Sequence, residues 1–287
     1  MNQFQELYES KKGTVADALA IISDGDYLVP GYCANEPFTI LGQLHTLQDR
    51  EDIHHIRVLY SLANGDYPFF DKAYEQTFSM DSYFFGATNR RLYQEGRCSY
   101  IPVNLHEATK RKDSFDEPNV YIGSATPMDK HGYMRTSLGN MIDRNYMDKA
   151  EKIILEINPN LPLVNGDTEI HIRDVDRIVE VNTPIPTIPL SKIEKEDEAI
   201  GQYVASLVHD GDTIQLGIGS IPDAIALALT DKKDLGIHTE MIDSGMAVLM
   251  EKGVVTNKKK TLHRGKTVGT FAFGDQYLYD WLDQNPS

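Results

Sequence analysis

Apolar positions along the chain follow two periods, and glycine and aspartate mark the places where one gives way to the other. Val15, Ala18, Leu19 and Ile22 form one helical stripe, and Val204, Leu207 and Val208 form another. Each stripe runs into a similar string. The first is Ser23-Asp24-Gly25-Asp26 before Tyr27-Leu28-Val29-Pro30-Gly31 and Pro37; the second is His209-Asp210-Gly211-Asp212 before Thr213-Ile214-Gln215-Leu216-Gly217 and Pro222. The pattern predicts helix, Asp-Gly-Asp turn, strand and glycine turn twice over, with Asp24 and Asp210 equivalent. Either two α/β units are related by duplication or a common turn pattern has been reached twice. A Pro-spaced and then charged stretch, residues 184–198, reads as a linker entering a helix, giving domains at 1–185 and 186–287. On the duplication reading the second unit stops well short of the first.

Residues 211–245 carry the most chemistry. Thr213 to Leu216 reads as a short strand, and Gly217-Ile218-Gly219-Ser220 turns it into a helix opened by Pro222 and running to about Thr230. Ile221, Ala224, Ile225, Ala228 and Leu229 would be its packed face. The polar turn Asp231 to Asp234 stops the helix, and Leu235 to Met241 resumes an extended run ending near Asp243-Ser244-Gly245. Strand, crossover helix and strand imply parallel pairing, so the glycine turn and Glu240 should meet at the carboxyl edge of the sheet, where ligands bind. Gly217 and Gly219 would let amides approach an anion, and the helix start adds partial positive charge; a phosphate or pyrophosphate is the expected guest. Each feature alone has a plain reading, as a tight turn or a solvated carboxylate, and it is the conjunction that points to a site.

The stretches Gln215 to Ala224 (QLGIGSIPDA) and Leu235 to Met241 (LGIHTEM) resemble the signature pair of the acetyl-CoA hydrolase and coenzyme A transferase family, the 4-hydroxybutyrate and butyryl-CoA:acetate CoA-transferases among its members. Ser99-Tyr100-Ile101-Pro102 before Leu105, Ser124 to Gly132, and Ile154 to Pro162 with Gly166-Asp167 extend the likeness over nearly the whole chain. The resemblance implies two tandem open-sheet α/β domains, the second incomplete. It makes Glu240 the catalytic glutamate and places Gln215, Leu216, Gly217, Ile218, Gly219 and Ser220 in the loop that contacts coenzyme A, with no metal and no permanently bound cofactor. Acyl-CoA and a short-chain carboxylate such as acetate, butyrate or 4-hydroxybutyrate become the expected substrates. A homo-oligomer is expected as well. Family members run further, and their later Gly-rich segment has no counterpart here, so a fragment, or a site completed by another polypeptide, is expected.

Composition narrows the classes. With 43 acidic against 28 basic residues the formal charge is −15, which disfavours nucleic acid and anionic membranes as partners. Cys33 and Cys98 are too few for a disulfide framework, and the start of the chain has no apolar signal core, so a cytoplasmic protein is expected. Cys33 reads as a small buried residue, His131 as part of a turn, and His238 as sharing the strand face of Glu240. The cluster Lys258, Lys259, Lys260, His263, Arg264 and Lys266 could reach nucleotide phosphates, though a solvated turn is the plainer reading. Three alternatives stay open. One is an acyl-CoA hydrolase. A second is a non-catalytic CoA-binding fragment. The third is an NAD-dependent oxidoreductase, weakened by Pro222 standing where the dinucleotide fingerprint has its third glycine.

Overall fold

The computed structural model describes residues 3–109, 117–189 and 191–287; Leu190 of the expected linker lies outside them. The chain divides into two compact units, Met1–Leu161 with Gly166–Pro184, and Pro162–Asn165 with Ile185–Ser287.

In the first unit, helices α1 (Gln3–Lys11) and α2 (Val15–Leu19) precede β1 (Tyr27–Pro30), and α3 (Phe38–Gln43) follows it. Then come β2 (Ile56–Leu59), β3 (Phe78–Ser82), α4 (Ala87–Gln94), β4 (Cys98–Tyr100), β5 (Val120–Ala125), β6 (Tyr133–Arg135), α5 (Asp143–Met147), β7 (Lys152–Ile157), β8 (Glu169–His171) and β9 (Arg177–Glu180). Seven of these strands make one sheet in the order β4-β3-β2-β1-β5-β7-β9, every neighbouring pair parallel. β6 and β8 form an antiparallel pair apart from it. The central strands are continuous apolar runs, Tyr27-Leu28-Val29-Pro30 and Val120 to Ala125 buried throughout, as a parallel sheet covered on both faces requires.

Two carboxylates sit inside this apolar unit. Glu156, within β7, accepts hydrogen bonds from Thr39 N and Ile40 N at 2.9 and 3.0 Å, supplying the cap that Pro37 cannot give α3. Glu36, in the loop after β1, accepts from Asn64 N, Gly65 N and Tyr67 Oη at 2.6, 3.1 and 2.7 Å, tying the loops after β1 and β2 together.

The second unit contains α6 (Lys195–Leu207), β10 (Thr213–Ile214), α7 (Ser220–Ala228), β11 (Gly236–Ile237), β12 (Met241–Ile242), α8 (Ser244–Glu251), β13 (Phe271–Ala272) and α9 (Gln276–Leu282). β10 pairs with β11 and β12 with β13, all parallel. Single bridges Leu235 to Val255 and His238 to Val268 continue the second flank. The run expected from Leu235 to Met241 is therefore interrupted, with ladder at both ends and irregular backbone between. The expected helix face also needs correction: Ile221 is 40% exposed whereas Ala226 is buried, because α7 packs through Ala224, Ala226 and Leu229.

The repeat is structural, down to individual hydrogen bonds. Ser23 N donates to Asp26 Oδ2 at 2.8 Å, and His209 N to Asp212 Oδ2 at 2.8 Å. Gly25 N reaches His55 O at 2.8 Å and Gly211 N reaches Lys233 O at 2.9 Å, both glycines at positive φ, 82° and 91°. Asp24 Oδ1 accepts from His54 N and His55 N, and Asp210 Oδ1 from Lys233 N. Each turn thus grips the start of the neighbouring strand. Capping boxes open the preceding helices at Thr14 with Asp17 and at Glu194 with Asp197.

Burial lifts both Glu36 and Glu156 to about 7, from an ordinary value near 4.5. A raised carboxyl pKa favours the native state while the group is protonated, so this contribution is complete below about pH 4.5 and is lost as pH rises through 7. Each group accounts for on the order of 3 kcal/mol. The urea midpoint of the first unit should therefore fall between pH 5 and 8, and Glu156→Gln should make that fall shallower; a variant with the parent's slope would contradict this account.

Candidate functional site

The second unit brings the glycine turn and Glu240 together through backbone register. Thr213 lies opposite Gly236 and Ile214 opposite Ile237, and His238 N donates to Ile214 O at 3.1 Å. Beyond the ladder, buried Thr239 continues the link: its Oγ1 lies 3.2 Å from Leu216 O and 3.1 Å from Met241 O, its one proton shared between the two carbonyls. The residue before the glycine turn is thereby bonded to the residue before the glutamate. On the other flank, Thr270 N and Thr270 Oγ1 each donate to Glu240 O at 2.8 Å, and Phe271 N adds a third bond at 3.3 Å. The backbone of Glu240 is held from both sides while its side chain is exposed.

The turn residues divide by role. Leu216 is buried; Gln215, Gly217, Ile218 and Gly219 are exposed, and Ser220, at the start of α7, is half-buried. Gly219 is the N-cap of α7 with φ 114° and ψ −178°, a region open essentially to glycine alone. Gly217 has no such constraint, and a Cβ there would meet only Pro222 Cγ at an ordinary 3.8 Å. Glycine is therefore obligatory at 219 for backbone geometry, while at 217 it leaves an open approach to the turn.

The cleft on the α7 side of the turn is lined by Ile218, Gly219, Asp223, Asp243 and Phe273. Asp243 caps α8 through Met246 N at 2.8 Å, and burial raises its carboxyl to about 6, with the Asp223 charge adding to the rise. Two carboxylates make this side unfavourable for an anion. His238, exposed two residues before Glu240, has its ring 6.1 Å from that of His263. His131 lies in a turn closed by Asp129 Oδ1, and Cys33 is buried. Among the described residues no His, Cys, Asp and Glu side chains group as metal ligands, and no helix is long and apolar enough to cross a membrane.

A model described as the acetyl-CoA hydrolase/transferase N-terminal domain matches residues 1–189. The chain belongs to the acetyl-CoA hydrolase/transferase family. The 4-hydroxybutyrate coenzyme A transferase of Clostridium kluyveri is 34% identical over 285 residues, covering 99% of this chain and 66% of that protein. The butyryl-CoA:acetate CoA-transferase of Anaerostipes caccae is 29% identical, with 99% and 65% covered. Among solved structures, RipA from Yersinia pestis matches with a TM-score of 0.92 at 34% identity, over 99% of this chain and 68% of that one. The chain thus spans about two thirds of the length of these relatives, 66% in the first case. The relatives' named activity is CoA transfer, which does not favour hydrolysis.

The matching turns allow the two units to be compared position by position. Arg57 N donates to Asp26 O at 3.1 Å and Gly236 N to Asp212 O at 2.8 Å, so Arg57 of β2 corresponds to Gly236 of β11. Counted from these donors, Ser61 takes the place of Glu240. Ser61 is buried, its Oγ 3.3 Å from Ser82 Oγ and accepting from Tyr83 N at 2.9 Å, so its hydroxyl is committed to packing. Thr239 went unnoticed in the sequence because its value lies in a sideways bond to a neighbouring strand, and only its period-2 inward position hinted at burial.

The two glycines should respond differently to a methyl group. Gly219→Ala should cost about 1–3 kcal/mol through backbone strain alone, whereas Gly217→Ala should stay within about 0.5 kcal/mol. Urea unfolding followed by circular dichroism would measure both, and equal losses would contradict the geometry.

Proposed function

We propose that this chain carries the nucleophile and the carrier loop of a coenzyme A transferase, moving coenzyme A between a short-chain acyl-CoA and a free acid such as acetate. The observation that carries the reading is the bond from Thr239 to Leu216, which sets Glu240 beside the Gln215 to Ser220 turn. It is supported by relatives named as transferases for 4-hydroxybutyrate and for butyryl-CoA with acetate.

The chemistry follows from a carboxylate at that position. A Glu240 oxygen attacks the thioester carbonyl; the C–S bond breaks, coenzyme A leaves as thiolate, and an acyl-glutamyl anhydride remains. The thiolate attacks the carbonyl carbon of Glu240, releases the first acid as its carboxylate, and leaves a glutamyl thioester. The second acid's carboxylate then attacks that thioester and the two steps run in reverse, with no net change in protonation. Activation is conserved throughout, so the exchange is close to thermoneutral and ping-pong. Amides of the Gly217 to Ser220 turn receive the carrier, and Gln215 supplies an amide N–H for a developing oxyanion. The anhydride must be shielded from water. Glu240 is exposed on the second unit, so active protein has to cover it.

Incubating active protein with butyryl-CoA and then with hydroxylamine or borohydride should modify Glu240, as read by peptide mass spectrometry; a label elsewhere would count against the assignment. Glu240→Asp should lower transfer on the order of a hundredfold, since a carboxylate withdrawn by about 1 Å is misplaced for attack.

A further inference from the structure

Between Glu251 and Asp275 there is no carboxylate side chain, yet Lys252, Lys258, Lys259, Lys260, Arg264 and Lys266 all fall there, against a formal charge of −15 for the chain. In the fold this segment is an excursion from one strand line, leaving after Val255 opposite Leu235 and returning at Val268 opposite His238. It is a built loop. Asn257, at φ 57°, accepts from Ile237 N at 3.0 Å, donates to Thr267 Oγ1 at 2.9 Å, and takes Gly265 N on its carbonyl at 2.9 Å. Lys260, only 2% exposed, donates through Nζ to Ile237 O at 2.7 Å and to Lys266 O at 2.6 Å, fastening the excursion to the strand that leads to Glu240.

With Lys260 committed inside, the remaining cations face outward. Lys258, Lys259, His263 and Arg264 are exposed, and among the described residues Lys258, Lys259 and Arg264 form no ion pair. A merely solvated turn has no need of like charges held on an anchored backbone, where they repel one another. The His263 ring lies 6.1 Å from His238, on the strand face of Glu240. The strand line that the excursion leaves and rejoins flanks the Glu240 strand on the side away from β10, while Lys259 packs over Gly211 at the amino end of β10.

Coenzyme A carries two separate anionic groups, a pyrophosphate and a ribose 3′-phosphate monoester. Uncharged amides of a glycine turn suit the first, whereas a compact dianion calls for Lys and Arg. The Asp223 and Asp243 carboxylates bar the α7 side of the glycine turn to a second anion. We propose that the excursion of residues 256–267 is the subsite for the nucleotide 3′-phosphate, with Lys258 and Arg264 as its principal cations and His263 beside them. This rests on the carrier reading above and adds to it the group that distinguishes coenzyme A from its dephosphorylated form.

Calorimetric titration of the full chain with coenzyme A, dephospho-coenzyme A, adenosine 3′,5′-bisphosphate and 5′-AMP tests it. The native chain should prefer each 3′-phosphorylated ligand by about tenfold or more, and Lys258→Gln with Arg264→Gln should abolish that preference while leaving dephospho-coenzyme A affinity unchanged. Lys192→Gln with Lys195→Gln, the same change in net charge placed elsewhere, should leave the preference intact. Equal affinity for the members of both pairs overturns the subsite, as does a variant that weakens both members of a pair alike or a control that behaves like the variant. A chain that ignores coenzyme A but still separates the bisphosphate from 5′-AMP through Lys258 and Arg264 would keep the subsite and remove the carrier reading.

Discussion

Parallel pairing is the constraint on which the functional reading rests. Two strands laid side by side in the same direction deliver their carboxyl ends to one edge, so a turn at residue 217 and a side chain at residue 240 become neighbours despite the helix between them. Only four residues form the regular ladder, Thr213, Ile214, Gly236 and Ile237. Beyond that point the Thr239 hydroxyl reaches Leu216 O on one flank, while on the other Thr270 N, Phe271 N and the Thr270 hydroxyl hold Glu240 O. A short ladder with lateral ties fixes the backbone where chemistry is expected without burying the carboxylate itself.

The carboxylates of this protein illustrate how surroundings set a role. Glu36 and Glu156 are enclosed, each saturated with N–H or O–H donors, and they organise loops and a helix start. Asp24 and Asp210 spend an oxygen on amides just ahead of the neighbouring strand, and Asp26 and Asp212 on the amide that opens their own turn. Glu240 alone among these keeps its side chain exposed while its main chain is immobilised by three donors. A reactive carboxylate needs that division, with fixed origin and unspent oxygens.

Much of this could be seen beforehand, and the failures have physical causes. The Asp-Gly-Asp strings announced two related units because positive-φ glycine and side-chain-closed turns leave strong local marks, and both turns form as expected. The pairing of the glycine turn with Glu240 followed from crossover handedness. At Ile221 the stripe and the packed face of α7 part company, since a helical stripe tells which residues align but not how far along the helix the packing extends. Glu156, a charged residue in an apolar strand, gave no hint that it caps a helix more than a hundred positions away, because that bond exists only in three dimensions. Thr239 is silent in the sequence for the same reason.

The two turns share their bonding while the strand ends they lead to differ, Ser61 locked inside one unit and Glu240 free at the rim of the other. The shared part of the Asp-Gly-Asp turn is its set of main-chain partners, whereas Asp26 adds side-chain bonds from Asn119 and Lys152 that belong to the first unit alone. The positions just past the neighbouring strands differ, a buried hydroxyl in one unit and an exposed carboxylate in the other.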